Sequence, residues 1–229
     1  INFSLHFLCF FKKKNEYFKD KEFRVYYILI LAVSLLFILN SSIFNFESIK
    51  NSIFTSISLV TTTGFVNSDF GEWASSSKVL IFFLFFIGGC AGSTTGGMKL
   101  VRTILVSKYL FSEVRKLLHP KGVFPIKIGN NTISDEVVKN TLGFYLFYIF
   151  IFAFASMIFS STGLDLTTSL SASASSIGNI GPGLGSIGPM NNWGHLTTLA
   201  KGTACFCMLL GRLEIFTVIV LFSKSFWTK

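Results

Sequence analysis

Apolar stretches long enough to cross a lipid bilayer constrain this chain more than any other feature. They cover residues 25–44, 79–98, 140–164 and 196–222, and the last is interrupted only by Lys201, Arg212 and Glu214. A helix needs about 20 mainly apolar residues to cross the hydrocarbon core of a membrane. Each stretch therefore predicts a membrane-crossing helix, and the whole chain predicts an all-α membrane protein.

The charged residues are few and unevenly placed. They make up 14% of the 229 residues, whereas soluble domains are about one quarter charged. Residues 12–24 carry six basic side chains and residues 99–127 carry seven, while residues 160–200 carry none. Because Lys and Arg accumulate in cytoplasmic loops, both ends of the chain and the linker 99–139 are predicted to be cytoplasmic. This placement accounts for the net charge of +9 without a nucleic-acid partner.

Two Ser/Thr-rich segments, at 49–60 and 165–177, lie between the long stretches on the predicted outer side. Each has about 12 residues, which as helix would span about 18 Å, half of a crossing. We therefore predict that both enter the membrane from outside and turn back. Each is followed by a glycine-containing turn, named here the Gly64 turn (Thr62–Phe65) and the Gly181 turn (Asn179–Pro182).

The two halves of the chain repeat this order of span, short helix, glycine turn and span. Gly64 and Gly181 are 181 − 64 = 117 residues apart. Glu47 and Asp165 are 165 − 47 = 118 apart, and Lys78 and His195 are 195 − 78 = 117 apart. We predict two parallel repeats, at 24–98 and 140–229, preceded by a segment 1–23 and joined by the linker 99–139.

The two turns are the candidate cation-binding sites. Non-helical backbone at membrane depth is tolerated where it lines a cavity or is buried in protein. A short helix entering from outside also directs the negative end of its dipole to the membrane centre, where it favours a cation. The candidate carbonyl ligands belong to Thr62, Thr63, Gly64, Phe65, Asn179, Ile180, Gly181 and Pro182. The alternative is that each glycine only ends a short buried helix.

A run of small residues interrupts the second apolar stretch. This glycine-rich loop comprises Gly88, Gly89, Gly92, Ser93, Thr94, Thr95, Gly96 and Gly97. Each glycine disfavours helix by about 1 kcal/mol, so the helix is predicted to break near mid-membrane. The alternative is a close contact between helices through their small residues.

Arg212 is the candidate functional charge of the last stretch. A charge at a helix centre costs about 2.5 to 3.5 kcal/mol on insertion scales, so Arg212 should face the bundle interior or water. The sequence of this stretch leaves two roles for Arg212 equally open, a structural ion pair inside the bundle and a functional role. Lys201, near the outer end, is expected to extend its charged group towards the membrane surface.

Catalytic and cofactor sites are not predicted. The four cysteines, Cys9, Cys90, Cys205 and Cys207, form no C-x-x-C pair and are expected to be buried as small apolar residues. No pattern of Ser, His and Asp or of paired carboxylates suggests an enzyme.

Five segments of the chain together resemble one known family. These are SLVTTTGF, IGGCAGSTTGGMKLVR, SDEVV, GNIGPGLG and GRLEIFTVIVL. They resemble the Trk/Ktr/HKT superfamily of potassium-uptake membrane proteins, and most of all its bacterial Trk/Ktr branch. The resemblance implies four channel-like units around one pore, each with an outer helix, pore helix, filter loop and inner helix. The repeats here resemble the third and fourth units and residues 2–11 the end of the second, so the chain is expected to be a fragment.

The resemblance also implies functional roles. The two turns would supply half of a potassium filter, the glycine-rich loop would be a gate below it, and Arg212 would approach that gate from below. The implied setting is a homodimer in the bacterial inner membrane with a cytosolic nucleotide-binding regulatory subunit, membrane lipid as its surroundings, and no cofactor besides the transported potassium. The alternatives are a cation-coupled secondary transporter with a midplane substrate site, or a membrane scaffold. Parallel repeats favour the channel-like pore over the transporter.

Overall fold

A computed structural model describes residues 2–11, 17, 20–41, 44–128, 131–213, 215–221 and 224–227. These residues are mainly helical, as expected of an all-α membrane protein. The elements in chain order are α1 Phe3–Phe11, α2 Lys21–Leu39, α3 Phe46–Val60, α4 Ser75–Leu84, α5 Leu100–Leu118, β1 Lys127–Ile128, β2 Asn131–Thr132, α6 Asp135–Ser161, α7 Leu166–Gly178, α8 Thr198–Arg212, α9 Ile215–Leu221 and α10 Lys224–Trp227.

Within the described ranges, α2 and α6 are the two helices long and apolar enough to cross a membrane. The other two predicted spans are divided. In the second, α4 ends at Leu84, before the first glycine of the loop. In the fourth, which we predicted to be continuous, α8 ends at Arg212 and α9 begins at Ile215. A run of uncharged residues thus does not fix where a helix ends.

The helix α6 begins earlier than the uncharged stretch suggested. Its first residue is Asp135, whereas the predicted repeat boundary was residue 140. Asp135 and Glu136 lie in its first turn, where acidic groups interact favourably with the helix dipole. The linker before it holds α5 and a short antiparallel hairpin that pairs Lys127 with Thr132.

The short helices α3 and α7 have 15 and 13 residues, so each spans about 20 Å. Asn45 caps α3 by accepting a hydrogen bond from the Ser48 amide, and Asp165 caps α7 through the Thr168 amide. The small side chains of α7 let it pack closely between α6 and α8, with Ser173 donating to the Phe152 carbonyl at 2.8 Å. Most residues of α7 are therefore buried, unlike those of a helix on a protein surface.

Two apolar clusters surround the short helices. One contains Phe37, Leu59 and Phe85, and the other contains Phe159 and residues from α6, α7 and α8. Aromatic contacts join them, because the Phe86 and Phe152 ring centroids lie 5.0 Å apart in an edge-on arrangement. Such pairs add about 0.5 to 1.5 kcal/mol beyond their burial.

The repeat spacing changes at the ends of the helices. The capping residues Asn45 and Asp165 are 165 − 45 = 120 apart, so Glu47 is not the counterpart of Asp165. The residues that precede α4 and α8, Ala74 and Thr197, are 197 − 74 = 123 apart. The predicted pairing of Lys78 with His195 is therefore also wrong. The caps are displaced because α3 has 15 residues and α7 has 13, and the starts of α4 and α8 are displaced because the loops before them differ in length.

One expectation about the cysteines is wrong. Cys90 and Cys207 are buried and Cys9 is half-buried, but Cys205 is exposed. Cys205 lies next to the exposed Phe206 on α8, on a face directed away from the core. An apolar environment of lipid accommodates a thiol as well as a protein core does.

The cap of α7 provides a test of the short helix. Replacing Asp165 with alanine is expected to cost about 1 kcal/mol, while asparagine should retain most of the stability. Hydrogen bonds from Thr168 lower the pKa of Asp165, so the cap stabilises most above the ordinary carboxyl pKa and weakens as the pH falls through the lowered one. Thermal unfolding of the complete protein in detergent measures both effects. Equal stability of the alanine and wild-type proteins would contradict the capping role.

Candidate functional site

The Gly64 turn and the Gly181 turn share an unusual backbone. Thr62 and Gly64 have φ of 51° and 74°, and Asn179 and Gly181 have φ of 54° and 111°. The matching positions are 179 − 62 = 117 and 181 − 64 = 117 residues apart, the spacing predicted from the glycines. A positive φ is rare for a β-branched residue such as Thr62 and costs of order 1 to 3 kcal/mol. The same backbone conformation therefore recurs at the same place in both halves, and it is strained at Thr62.

Serine hydroxyls fix both turns in the same way. Ser58 donates to the Phe65 carbonyl at 2.7 Å, and Ser175 donates to the Pro182 carbonyl at 2.8 Å. Each serine lies in the last part of its short helix, so the bond closes the turn against the helix that precedes it. The Ser/Thr-rich composition of these helices thus serves the geometry of the turns.

These bonds divide the eight candidate carbonyls into two groups. Phe65 and Pro182 accept from the serines, and the Gly181 carbonyl accepts from the Trp193 indole at 3.2 Å. Among the described residues, no hydrogen-bond donor reaches the other five carbonyls, which belong to Thr62, Thr63, Gly64, Asn179 and Ile180. Five backbone oxygens are therefore available to a cation.

The two turns touch each other. A Cβ atom built on Gly64 would lie 1.8 Å from the Ile180 carbonyl oxygen, so this oxygen rests against the Gly64 backbone. The Ile180 side chain is 4% exposed, whereas Phe65 is 70% exposed. The Gly181 turn is therefore anchored in the core at the contact, and the Gly64 turn extends outwards from it.

Helix α8 supports the Gly181 turn from behind. The Asn179 side-chain amide donates to the Met208 carbonyl at 3.0 Å. Gly211 permits the close approach, because a Cβ there would lie 1.9 Å from the Ile177 carbonyl oxygen. The left-handed conformation of Asn179 is thus held by a specific bond between the turn and α8.

The glycine-rich loop is not a helix, which excludes the alternative of a helix contact through small residues. It folds back on itself, since the Gly88 amide donates to the Met98 carbonyl at 2.7 Å and Met98 donates to Phe86 at 3.0 Å. The Leu100 amide then donates to Gly89 at 3.1 Å, where α5 begins. The loop is therefore a closed structure between α4 and α5.

The loop lies directly against both turns. The Gly96 amide donates to the Thr62 hydroxyl at 3.3 Å, and a Cβ on Gly96 would lie 2.4 Å from the Gly178 carbonyl oxygen. On its other side, the Gly92 carbonyl accepts from the Phe3 amide at 3.4 Å. The structure thus brings together the loop and the two turns, which the sequence identified separately. Gly97 also lies in the loop, with a φ of 68°.

Two cations bind consecutive carbonyls of the loop. The Lys99 ammonium donates to Ser93 at 2.9 Å and to Thr95 at 2.8 Å. The Arg212 guanidinium donates to the Thr94 carbonyl between them. Charge-assisted bonds of this kind are about twice as strong as neutral ones. The loop is therefore held in place from the α5 and α8 sides.

These cations line a cavity of about 260 Å³ next to the loop. Arg102 lies on the same wall, with its guanidinium 4.1 Å from the centroid of the Phe144 ring. Lys201 lies elsewhere and donates to the Gly194 carbonyl at 2.7 Å, as a lysine near a helix start can. Glu214, which the sequence placed beside Arg212, lies outside the described residues.

Three residues of this region were not predicted from the sequence: Lys99, Glu22 and Trp193. Lys99 lies two residues after the loop, and its position near a glycine run could have identified it. The Glu22 carboxylate accepts from the Ala91 amide at 2.7 Å, and Trp193 binds the Gly181 carbonyl. Neither contact leaves a signal in the sequence, because each depends on how the chain folds: Glu22 and Ala91 are 69 residues apart, and Trp193 reaches Gly181 through the loop that follows the turn.

Comparisons with known proteins extend over the whole chain. A family model named TrkH and described as a cation transport protein matches residues 1–229. The Trk system potassium uptake protein TrkH of Halomonas elongata is 37% identical over 233 residues, covering 100% of this chain and 48% of that protein. The corresponding protein of Escherichia coli K12 is 32% identical, covering 99% and 48%.

A solved structure matches as well. The crystal structure of the potassium transporter TrkH from Vibrio parahaemolyticus aligns with a TM-score of 0.89 at 36% identity. The alignment covers 99% of this chain and 50% of that one. The chain therefore spans about half the length of the relatives that it matches.

Proposed function

Because the chain belongs to the TrkH family of cation transport proteins, we propose that the complete protein takes up potassium through a pore and that this chain supplies half of its filter. Relatives named as potassium uptake proteins support the choice of ion. The observation that carries the proposal is the matched backbone of the two turns, with positive φ at Thr62 and Gly64 and again at Asn179 and Gly181.

The five carbonyls without a donor are the proposed potassium ligands. They replace the hydration shell of the ion, as carbonyl rings do in potassium channels. The helices α3 and α7 end at these turns, and each C-terminus adds the equivalent of about half a negative charge. The carbonyls of Phe65, Gly181 and Pro182 instead accept the hydrogen bonds that fix the shape of the turns. The eight ligands expected from the sequence are thereby reduced to five.

The glycine-rich loop is the proposed gate. It lies against both turns at Gly96, so an ion leaving them meets backbone rather than water. Lys99 and Arg212 hold this closed arrangement by binding three successive carbonyls. Opening requires those bonds to be exchanged for other partners, so the two cations set the stability of the closed gate.

The membrane setting follows from the same proposal. The short helices enter from the outer side of a bacterial inner membrane, and the chain ends and the linker 99–139 lie in the cytoplasm. A homodimer and a cytosolic nucleotide-binding subunit are the partners proposed, and the basic linker is the surface available to that subunit.

Potassium uptake by the complete protein is the direct test. We expect it to restore growth of an uptake-deficient bacterium at low potassium and to transport rubidium in vesicles. A variant in which Ser58 and Ser175 are both alanine should retain its fold but lose transport, because each buried bond contributes about 1 kcal/mol to the shape of a turn. The exposed hydroxyl variant Ser107→Ala is the matched control. Uptake of an unrelated solute without potassium or rubidium flux would favour a secondary transporter instead.

A further inference from the structure

A basic cleft lies at the end of α5 that the proposed pore does not use. It has a volume of about 370 Å³ and lies between α5 and the segment that leads into the hairpin. Its lining residues are Lys108, Phe111, Ser112, Arg115, Phe124, Pro125, Ile126 and Lys127. Three of these side chains are cationic and none is acidic.

The cleft is held open by bonds between its two walls. Lys108 on α5 donates to the Lys127 carbonyl at 2.5 Å, and Ser112 donates to the Phe124 carbonyl at 3.2 Å. The bond of Lys108 uses one of the three N–H groups of its ammonium, so two stay available to a ligand. The nearby acidic residue Glu113 is paired with Lys116 at 2.7 Å and does not line the cleft.

Apolar side chains accompany the charges. Lys108, Phe111 and Arg115 follow one another at helical spacings of three and four residues, so they share a face of α5. Phe111 is 70% exposed, and Leu117 one to two turns further is 83% exposed. A cationic cleft beside exposed apolar groups fits an amphipathic ligand with an anionic head better than a small soluble anion.

The depth of the cleft fits the lipid headgroups. Helix α5 starts at Leu100, three residues after the glycine-rich loop that touches the Gly64 turn at the proposed membrane centre. At 1.5 Å per residue, Lys108 lies about 12 Å and Arg115 about 22 Å along the helix from that start. Half of the hydrocarbon core is about 15 Å thick, so on an α5 that runs along the membrane normal Lys108 and Arg115 lie around the level of the inner phosphates. The bond from Lys108 to the Lys127 carbonyl brings Lys127 to the same level.

We propose that this cleft binds the headgroup of an anionic phospholipid of the cytoplasmic leaflet. Lys108, Arg115 and Lys127 bind the phosphate, and Phe111 and Phe124 contact the start of the acyl chains. The inference rests on the orientation given under the proposed function. It adds a lipid site on the helix that carries Lys99, so bound lipid fixes α5 relative to the gate.

Retention of lipid by the purified complete protein tests this site. The protein is placed in nanodiscs of phosphatidylcholine with or without phosphatidylglycerol, extracted into detergent, and analysed by native mass spectrometry. We expect wild type to retain phosphatidylglycerol, and the triple variant K108Q/R115Q/K127Q to bind it on the order of 100-fold more weakly, since each basic group near an anionic surface contributes about 1 kcal/mol. The charge-matched control K116Q/K121Q/K139Q removes three lysines outside the cleft and should bind as wild type.

Each contrary result has a definite meaning. Equal retention by the triple variant and wild type overturns the proposal, and so does an equal loss in the control, which indicates general charge attraction. Wild type without a preference for phosphatidylglycerol overturns it as well and leaves the cleft to an acidic protein partner. The single variants Lys108→Gln and Lys127→Gln, each expected to weaken binding about fivefold, keep the test decisive if the triple variant does not fold.

This assay does not use potassium, so its result is independent of transport. The orientation is tested separately with the variant Lys121→Cys, in a background without the native cysteines, by labelling with a membrane-impermeant reagent. If the cysteine is labelled in inverted vesicles but not in intact cells, the cleft faces the cytoplasm. Labelling in intact cells overturns the orientation on which both proposals depend.

Discussion

Replacing Gly64 with alanine is expected to lower the ratio of potassium to sodium uptake by roughly tenfold or more. Two effects act together. The φ of 74° is strained for any residue with a Cβ, and that Cβ would lie 1.8 Å from the Ile180 carbonyl oxygen. Because this oxygen is backbone, it can move only with the Gly181 turn. The substitution therefore displaces proposed ligands in both turns at once.

Two other glycines separate these effects. Gly181 has a φ of 111°, but nothing lies within 4 Å of its added Cβ, so Gly181→Ala introduces strain without a collision. Gly163 has a φ of 89° and the same free space, but it lies in the loop between α6 and α7, outside the turns. We expect Gly163→Ala to retain potassium selectivity, Gly181→Ala to lose part of it, and Gly64→Ala to lose the most.

Competition between sodium and rubidium uptake in vesicles measures this order. Surface expression is measured in parallel, so that a loss of protein is not read as a loss of selectivity. Wild-type selectivity in Gly64→Ala protein of normal expression would return Gly64 and Gly181 to the role of helix terminators. A loss in Gly163→Ala as large as in Gly64→Ala would show that backbone strain anywhere has the same effect.

The sequence predicted the turns because their signals are local. A Ser/Thr-rich segment too short to cross the membrane, followed by glycine, gave the ends of α3 and α7 to within a few residues. The 117-residue spacing is kept at the turns, where the backbone is constrained, and is lost at Asn45 and Asp165, because α3 has 15 residues and α7 has 13.

The contacts between the parts could not be predicted. The close contact of Gly64 with the Ile180 carbonyl and the bond of Lys99 to the glycine-rich loop depend on how the segments of the chain pack. Helix α4 ends at Leu84 rather than at the first glycine because the chain pairs Ile87 with Met98 to close the loop. Such pairing depends on tertiary structure, which periodicity along one segment does not contain.

Removing the cations below the loop is expected to raise rubidium flux. Lys99→Met removes the bonds to Ser93 and Thr95, and Arg212→Gln removes the charge-assisted bond to Thr94. A hydrogen bond to a charged group contributes about 1.5 to 3 kcal/mol, so each change should shift the equilibrium towards the open gate by roughly 10-fold or more. Lys201→Met is the matched control, because it removes a lysine–carbonyl bond on α8 at a distance from the loop.

The loop itself distinguishes gating from simple charge repulsion. Deleting Ser93, Thr94 and Thr95 removes the carbonyls that both cations bind, and this variant should show the highest flux. If Arg212 acts by holding the loop, Arg212→Gln has no further effect in the deletion background, and the Lys99 and Arg212 changes are non-additive in the intact loop. If Arg212 acts by repelling ions in the cavity, the same substitution raises flux equally with and without the loop. That second result would remove Arg212 from the gate and leave it as a charge on the pathway, while Lys99 would be judged by its own response to the deletion.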